Sequence, residues 1–399
     1  MYRSFFTHEL GLMVRSKKNL YFILFLLLGV ACYCLIILPD KQTVHVLDHE
    51  EIAIDLENDQ FMLEGRVRSG YTGTNSRTGR AIYVETFFHN QLRSKLIHAY
   101  ENQDAARYLR LKLQYDVTEL TVISDPSMFE GSTYPNMDRM HFEYYTDHRY
   151  QSLLHMDSPL TLSMLEQKSA IQVLEQALLV AGPWFIFLAI YFSCDVLMRD
   201  REHPSIKQGM PISWYKIINL KSGVVLTYTA TALALLLAFC MLLVSILNGF
   251  GHLDLAIPYL TSFDDLTSDQ YDLMSMGTFL LKSLVYLVIL LFLFIRLTMV
   301  GSLLLKQAWL VLGVTSFILL FERVFRDRTS ETVLGIDVGY WPQTYIDFGK
   351  IAAGEMNYLF MTDSITFISG LVILLLTVVM VEGLLLTLSK IITKERYYA

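Results

Sequence analysis

Two uncharged apolar runs, from Ala177 to Cys194 and from Ser222 to Leu247, flank a short charged loop. Neither shows the two-residue alternation of a half-buried strand, and about 20 apolar residues in a helix cross a bilayer's hydrocarbon core. Each run therefore predicts a transmembrane helix. The loop 195–221 sets Arg199, Arg201, Lys207, Lys216 and Lys221 against Asp195, Asp200 and Glu202. Short loops with an excess of Lys and Arg belong on the cytoplasmic side, which orients the hairpin.

Four further runs extend the pattern. Leu20 to Leu38 closes at Pro39 and Asp40, and no small-residue cleavage site follows it, so it predicts a span rather than a signal peptide. Thr278 to Leu305 is interrupted only by Lys282 and Arg296, and Lys306 and Gln307 mark a tight turn. Ala308 to Phe321 is too short to cross alone and is extended to about Phe325. Ile365 to Leu388 holds one acid, Glu382. The expectation is an all-α polytopic membrane protein of six transmembrane helices with both termini cytoplasmic.

The polar stretches fill in the rest. Residues 1–19 read either as an amphipathic helix in the headgroup region or as the positive flank of the first span, 20–38. Residues 39–176 form an extracytoplasmic domain between helices 1 and 2, and 177–399 the remaining bundle with an external segment at 322–363. Within the domain, apolar residues at helical spacing predict helix from Arg80 to Tyr115, and Glu119 to Ser124 suggests a strand. Turn signals fall at Gly70 to Gly79 and Gly131 to Asn136. The domain is thus mainly helical, with α+β as the alternative. Its tyrosines, among them Tyr100, Tyr108, Tyr115, Tyr134, Tyr144, Tyr145 and Tyr150, are needed for its own core before any ligand surface. Asn248 to Ser275 reads as an acidic external connection; the alternating ligands and central Gly of a calcium loop are missing.

Composition agrees with a membrane protein: of 399 residues, 53% are hydrophobic and only 18% charged, with mean hydropathy +0.39. The net charge of −7 is uneven. Residues 39–176 hold 13 Lys and Arg against 21 Asp and Glu, whereas the short loops assigned to the cytoplasm are positive. The split is one of topology and gives no basic stripe for nucleic acid. Cys32, Cys34, Cys194 and Cys240 all lie in apolar runs, which suits small packing residues rather than a disulfide framework.

Catalytic patterns are missing. There is no GxxxxGK[ST] phosphate loop, and His45, His49, Glu50, His141, His148 and His155 never form HExxH. No metal or cofactor is expected on this chain. Glu382, a carboxylate within an apolar run, is either a point on a translocation path or a structural partner of Arg296 or a neighbouring serine.

Several segments together resemble the membrane subunit of an ABC-2 type transporter. Leu197 to Glu202, Met210 to Ser213 and Asn219 to Ser222 are similar to the family's loop between its second and third spans. Thr344 to Glu355 is similar to its external segment before the last span, and Phe6 to Leu10 to its N-terminal interfacial helix. Where members commonly show a Gly-Thr pair, this chain has His203 to Lys207. The resemblance implies the permease of a bacterial plasma-membrane exporter, paired with a second copy or a sister permease, moving an amphipathic cargo such as a peptide, antimicrobial or lipid-like compound. ATP and Mg would be bound by a separate cytoplasmic ATPase docking on the loop. Asp200, Glu202, Lys207, Lys216 and Lys221 would give that loop its polar face, and Met210, Pro211, Ile212 and Trp214 its apolar one. The alternative is a mechanotransmitting or signalling membrane protein that acts on a cell-envelope partner through its external domain.

Overall fold

A computed structural model describes residues 2–41, 46–74, 81–119, 129, 131–202, 212–263, 266–325 and 332–398. The fold is overwhelmingly helical, and five stretches are long and apolar enough to cross a membrane: Lys17–Asp40, Gly182–Arg201, Trp214–Asn248, Met276–Leu305 and Phe367–Ile391. The chain is a multi-pass membrane protein of the all-α class.

Helix α1 (Tyr2–Arg15) buries Phe5, Glu9 and Met13, a stripe at four-residue spacing, and leaves Arg3, His8 and Arg15 exposed. Helix α2 (Lys17–Cys32) runs through a wider turn, Tyr33–Ile37, to Asp40. Four helices then build the polar domain: α3 (His49–Arg68), α4 (Ile82–Glu101), α5 (Ala105–Glu119) and α6 (Pro135–Leu154). The run expected from Arg80 to Tyr115 is broken at Asn102–Asp104, where Gln103 takes φ 57°. Of the strand suggested at Glu119 to Ser124, Glu119 ends α5 and the rest lies outside the described residues. Tyr108, Tyr115 and Tyr150 are buried with Leu96, Leu109 and Leu153, so these rings do fill the domain's own core. Arg93 crosses that core from α4 to Asp59 of α3 at 2.5 Å.

The apolar run Ala177 to Cys194 is two helices rather than one. Helix α7 (Ala170–Val180) stops at Ala181, and α8 (Gly182–Ser193) restarts with Pro183 in its first turn. Proline has no N–H to give and its ring collides with the carbonyl four residues back, so a continuous helix is broken there. Helix α9 (Trp214–Asn248) is 35 residues, or about 52 Å at 1.5 Å per residue, and begins well before the apolar run.

Helix α10 (Met276–Leu305) ends at Lys306, in the left-handed conformation, and α11 (Ala308–Leu320) starts two residues later. At 13 residues, α11 spans about 20 Å, less than a hydrocarbon core; one more turn, Glu322–Phe325, follows it. Helix α12 (Phe367–Ile391) is the last long one, and Lys394–Tyr398 folds back as a short terminal turn.

Two polar connections are more structured than their composition suggests. Asn248 to Ser275 contains an antiparallel pair, β1 (Ala256–Leu260) and β2 (Tyr271–Ser275), with Pro258 opposite Leu273. The segment 322–363 folds its middle inward as two short helices, Phe348–Ala352 and Glu355–Phe360. Gly349 explains the fit: a Cβ there would lie 2.3 Å from the Leu178 carbonyl oxygen of α7. Gly354, at φ +72°, is pressed as closely on Leu260 of β1. Charges along a segment do not exclude it from a core when glycine lets backbones touch.

Candidate functional site

The base of the α8–α9 hairpin is built on one buried ammonium. Lys221, on α9 and fully buried, lies 2.8 Å from Asp200 Oδ2 and 3.3 Å from Glu9 Oε2, and donates to the Val196 carbonyl at 2.9 Å. An ammonium has three N–H donors, and all three are thereby used. Asp200 and Glu9 are themselves buried, and Arg199 stands 3.6 Å from Glu9. Helix α1, the end of α8's chain and α9 are thus joined at one atom. A second ion pair lies alongside: Lys18 of α2 donates to Asp195 at 3.1 Å and to the Tyr191 carbonyl at 3.4 Å, with the Tyr191 ring 4.4 Å from its ammonium.

The apolar side of the same base holds Ile212, Trp214, Ile217 and Ile218, all buried. The Trp214 ring packs at 5.3 Å on Tyr397 from the terminal turn, and Arg201 lies 5.8 Å from that tyrosine's ring. Of the residues assigned to a partner-facing surface, Asp200 and Lys221 therefore turn inward to each other, while Lys216 is exposed on α9. Lys207, Met210 and Pro211 lie outside the described residues, as does the side chain of Glu202. Glu9 was not singled out in the sequence, although an acid midway between Phe5 and Met13 on one helical stripe is a readable sign of a buried partner.

No protein-family model, curated protein or solved structure matches the chain. The functional argument accordingly rests on the residues themselves.

About two turns along α9 from Trp214 lies a second buried network. Arg296 of α10 pairs with Glu382 of α12, donates to Asn219 Oδ1 at 2.6 Å and to Ser222 Oγ at 3.0 Å. Tyr215 donates to the other carboxylate oxygen of Glu382 at 3.1 Å. Arg296 is 6% exposed and Glu382 22%, so the pair is closed on one side and partly open on the other. Both charges have partners, which makes Glu382 a structural clamp between α9, α10 and α12.

At the opposite end of the bundle, the polar domain is fixed to the bundle by a bidentate pair. Arg149 of α6 reaches Glu175 of α7 at 2.9 and 3.1 Å, both side chains nearly inaccessible. His141 Nδ1 lies 2.5 Å from the Tyr271 hydroxyl of β2, and its ring stacks at 3.9 Å and 7° on Tyr358. Tyr358 in turn donates to Asp138. Burial holds the Glu355 carboxyl above the usual carboxylate range; Lys350 pulls it back, while Glu175 and Asp347 add to the rise. Among the described residues no group of three His, Cys, Asp or Glu converges as metal ligands.

Proposed function

We propose that the chain is the permease subunit of an ATP-driven ABC exporter of the ABC-2 type, in a bacterial plasma membrane. The reading takes six crossings, the five long apolar helices plus α11 with its added turn, and puts both termini in the cytoplasm. It takes an amphipathic cargo, a second copy or sister permease, and a separate ATPase that supplies ATP and Mg chemistry.

The observation that carries the reading is the lysine anchor at the hairpin base. Because Lys221 binds Glu9, Asp200 and Val196 together, a push on the loop 195–221 reaches α1, α8 and α9 as one body. Helix α9 also continues about 12 Å outside its apolar run, from Trp214 to Ser222, as a stiff lever. A chain lacking a phosphate-binding loop needs its work delivered from outside, and a rigid cytoplasmic lever is what a docking ATPase needs. The docking contacts fall to the loop itself and to exposed residues such as Lys216, with Asp200 and Lys221 holding the loop in shape.

The test is co-reconstitution with the ATPase in vesicles, reading ATP-dependent cargo movement. Transport that requires both chains supports the reading. An ATPase that neither binds the chain nor changes its turnover overturns it.

A second reading, mechanotransmission to an envelope partner, is favoured by the tight union of domain and bundle through Arg149–Glu175 and His141–Tyr271–Tyr358. Such joints would deliver bundle motion to the domain. ATP-dependent binding and turnover without cargo movement would select it.

A further inference from the structure

A cavity of about 300 Å³ opens between α1 and α9, lined by Tyr2, Phe6, Lys216, Asn219, Leu220 and Gly223, with walls that are almost wholly apolar. Gly223 forms part of its wall, facing the Phe6 ring, which a Cβ there would meet at 3.7 Å, an ordinary van der Waals contact. The cavity straddles the point where α9 changes character. Lys216 lies in the charged approach, and Gly223, about 10 Å further along the axis, is the second residue of the uncharged run. One end thus faces the charged loop and the other the start of the uncharged run.

Among the described residues its mouth carries one unpaired cation. Lys216 is exposed and makes no ion pair among the described residues; its ammonium sits 5.9 Å from the Tyr2 ring. On α1 the only acid, Glu9, is buried against Lys221, while Arg3 and Arg15 are exposed, as is Lys17 at the start of α2. An apolar slot with a cationic mouth is complementary to one acyl chain beneath a phosphate.

We propose that this groove is a seat for an anionic phospholipid, its acyl chain between Phe6, Leu220 and Gly223 and its phosphate on Lys216. The lipid wedges α1 against α9 beside the lysine anchor. The assignment depends on α9 crossing the bilayer; Lys216 also lies on the face offered to the ATPase, so lipid is counted on the chain alone, where either reading can fail without the other.

The test counts lipid retained by the purified full-length chain from micelles of equal phosphatidylglycerol and phosphatidylcholine, by mass spectrometry. The wild type retains the anionic lipid preferentially. Lys216→Ala lowers that preference about fivefold, the worth of one cation near a lipid surface. Gly223→Leu fills the slot and erases the preference, leaving only the lipid held elsewhere on the apolar surface. Arg110→Ala, which removes an exposed cation of the polar domain, leaves the preference unchanged. An undiminished preference in Lys216→Ala or in Gly223→Leu, or an equal loss in Arg110→Ala, would each overturn the proposal.

Discussion

At the α1 end of the bundle one ammonium, Lys221 Nζ of α9, holds two carboxylates and a carbonyl from two other parts of the chain. At the domain end, one guanidinium holds one carboxylate in a bidentate fork, and the rest of the joint is aromatic rings and glycine-mediated backbone contact. The contrast lies in what fails when one side chain is lost. A fork with stacked rings beside it retains much of its packing. A hub shared by two buried acids takes a counter-charge from both at once when it is lost, and breaking a buried pair costs more than the pair gives. The end proposed to receive force is therefore the end where one side chain serves two buried acids at once, beside the Lys18–Asp195 pair and the Trp214–Tyr397 contact.

That asymmetry is open to direct attack. Lys221→Ala should have the largest effect, about 4–5 kcal/mol, since it removes the one buried ammonium that Glu9 and Asp200 share. Thermal unfolding of the purified chain should show it, and protease should then cut α1 away from α9. If Lys221→Ala unfolds like the wild type, the hub has no structural role. Arg149→Ala should cost about 3 kcal/mol, stranding Glu175 but keeping the His141–Tyr358 stack. A larger loss for Arg149→Ala than for Lys221→Ala would invert the comparison.

Between the two ends, Glu382→Gln should cost about 1–3 kcal/mol: its amide still meets Tyr215 and Arg296, but the guanidinium loses its counter-charge. Transport per folded molecule should stay near wild type; a selective collapse of transport would make Glu382 a point on the path instead. The smallest effect is a pH dependence at the domain end. Glu355's carboxyl lies above its ordinary value in the folded chain, so its protonated form favours folding. That contribution is full below the ordinary carboxylate range and fades as pH rises through the raised value. Mild acidification from neutral should therefore raise the melting temperature of the wild type relative to Glu355→Gln, and parallel profiles would remove the residue from the account.

Much of the fold was legible because the bilayer demands long uncharged runs, and those are contiguous in sequence. The break at Ala181 was written in Pro183 but hidden by the unbroken apolar composition around it. The hairpin β1–β2 and the buried middle of 322–363 were obscured for another reason: acids mark both as polar in composition, yet Glu322 and Asp347 are buried, and close backbone contacts at Gly349 and Gly354 decide the fit. The site was legible only in part. Lys221 and Glu9 are 212 residues apart, and no local pattern names the partner of a buried charge. Arg296 and Glu382 were easier, since two opposite charges in otherwise apolar helices have few other ways to be satisfied.

The most direct measurement is the sidedness of the hairpin base under nucleotide. Cysteine placed at Gln307, exposed in the turn beside Arg201's contact with Lys306, and at Glu64 on α3 of the polar domain would be labelled with a membrane-impermeant maleimide. The account predicts that Glu64→Cys reacts in intact cells, whereas Gln307→Cys reacts only in inside-out vesicles and at a rate that changes when ATP is added. Labelling of Gln307→Cys from outside intact cells, or a rate indifferent to ATP in vesicles that retain the ATPase, would contradict it.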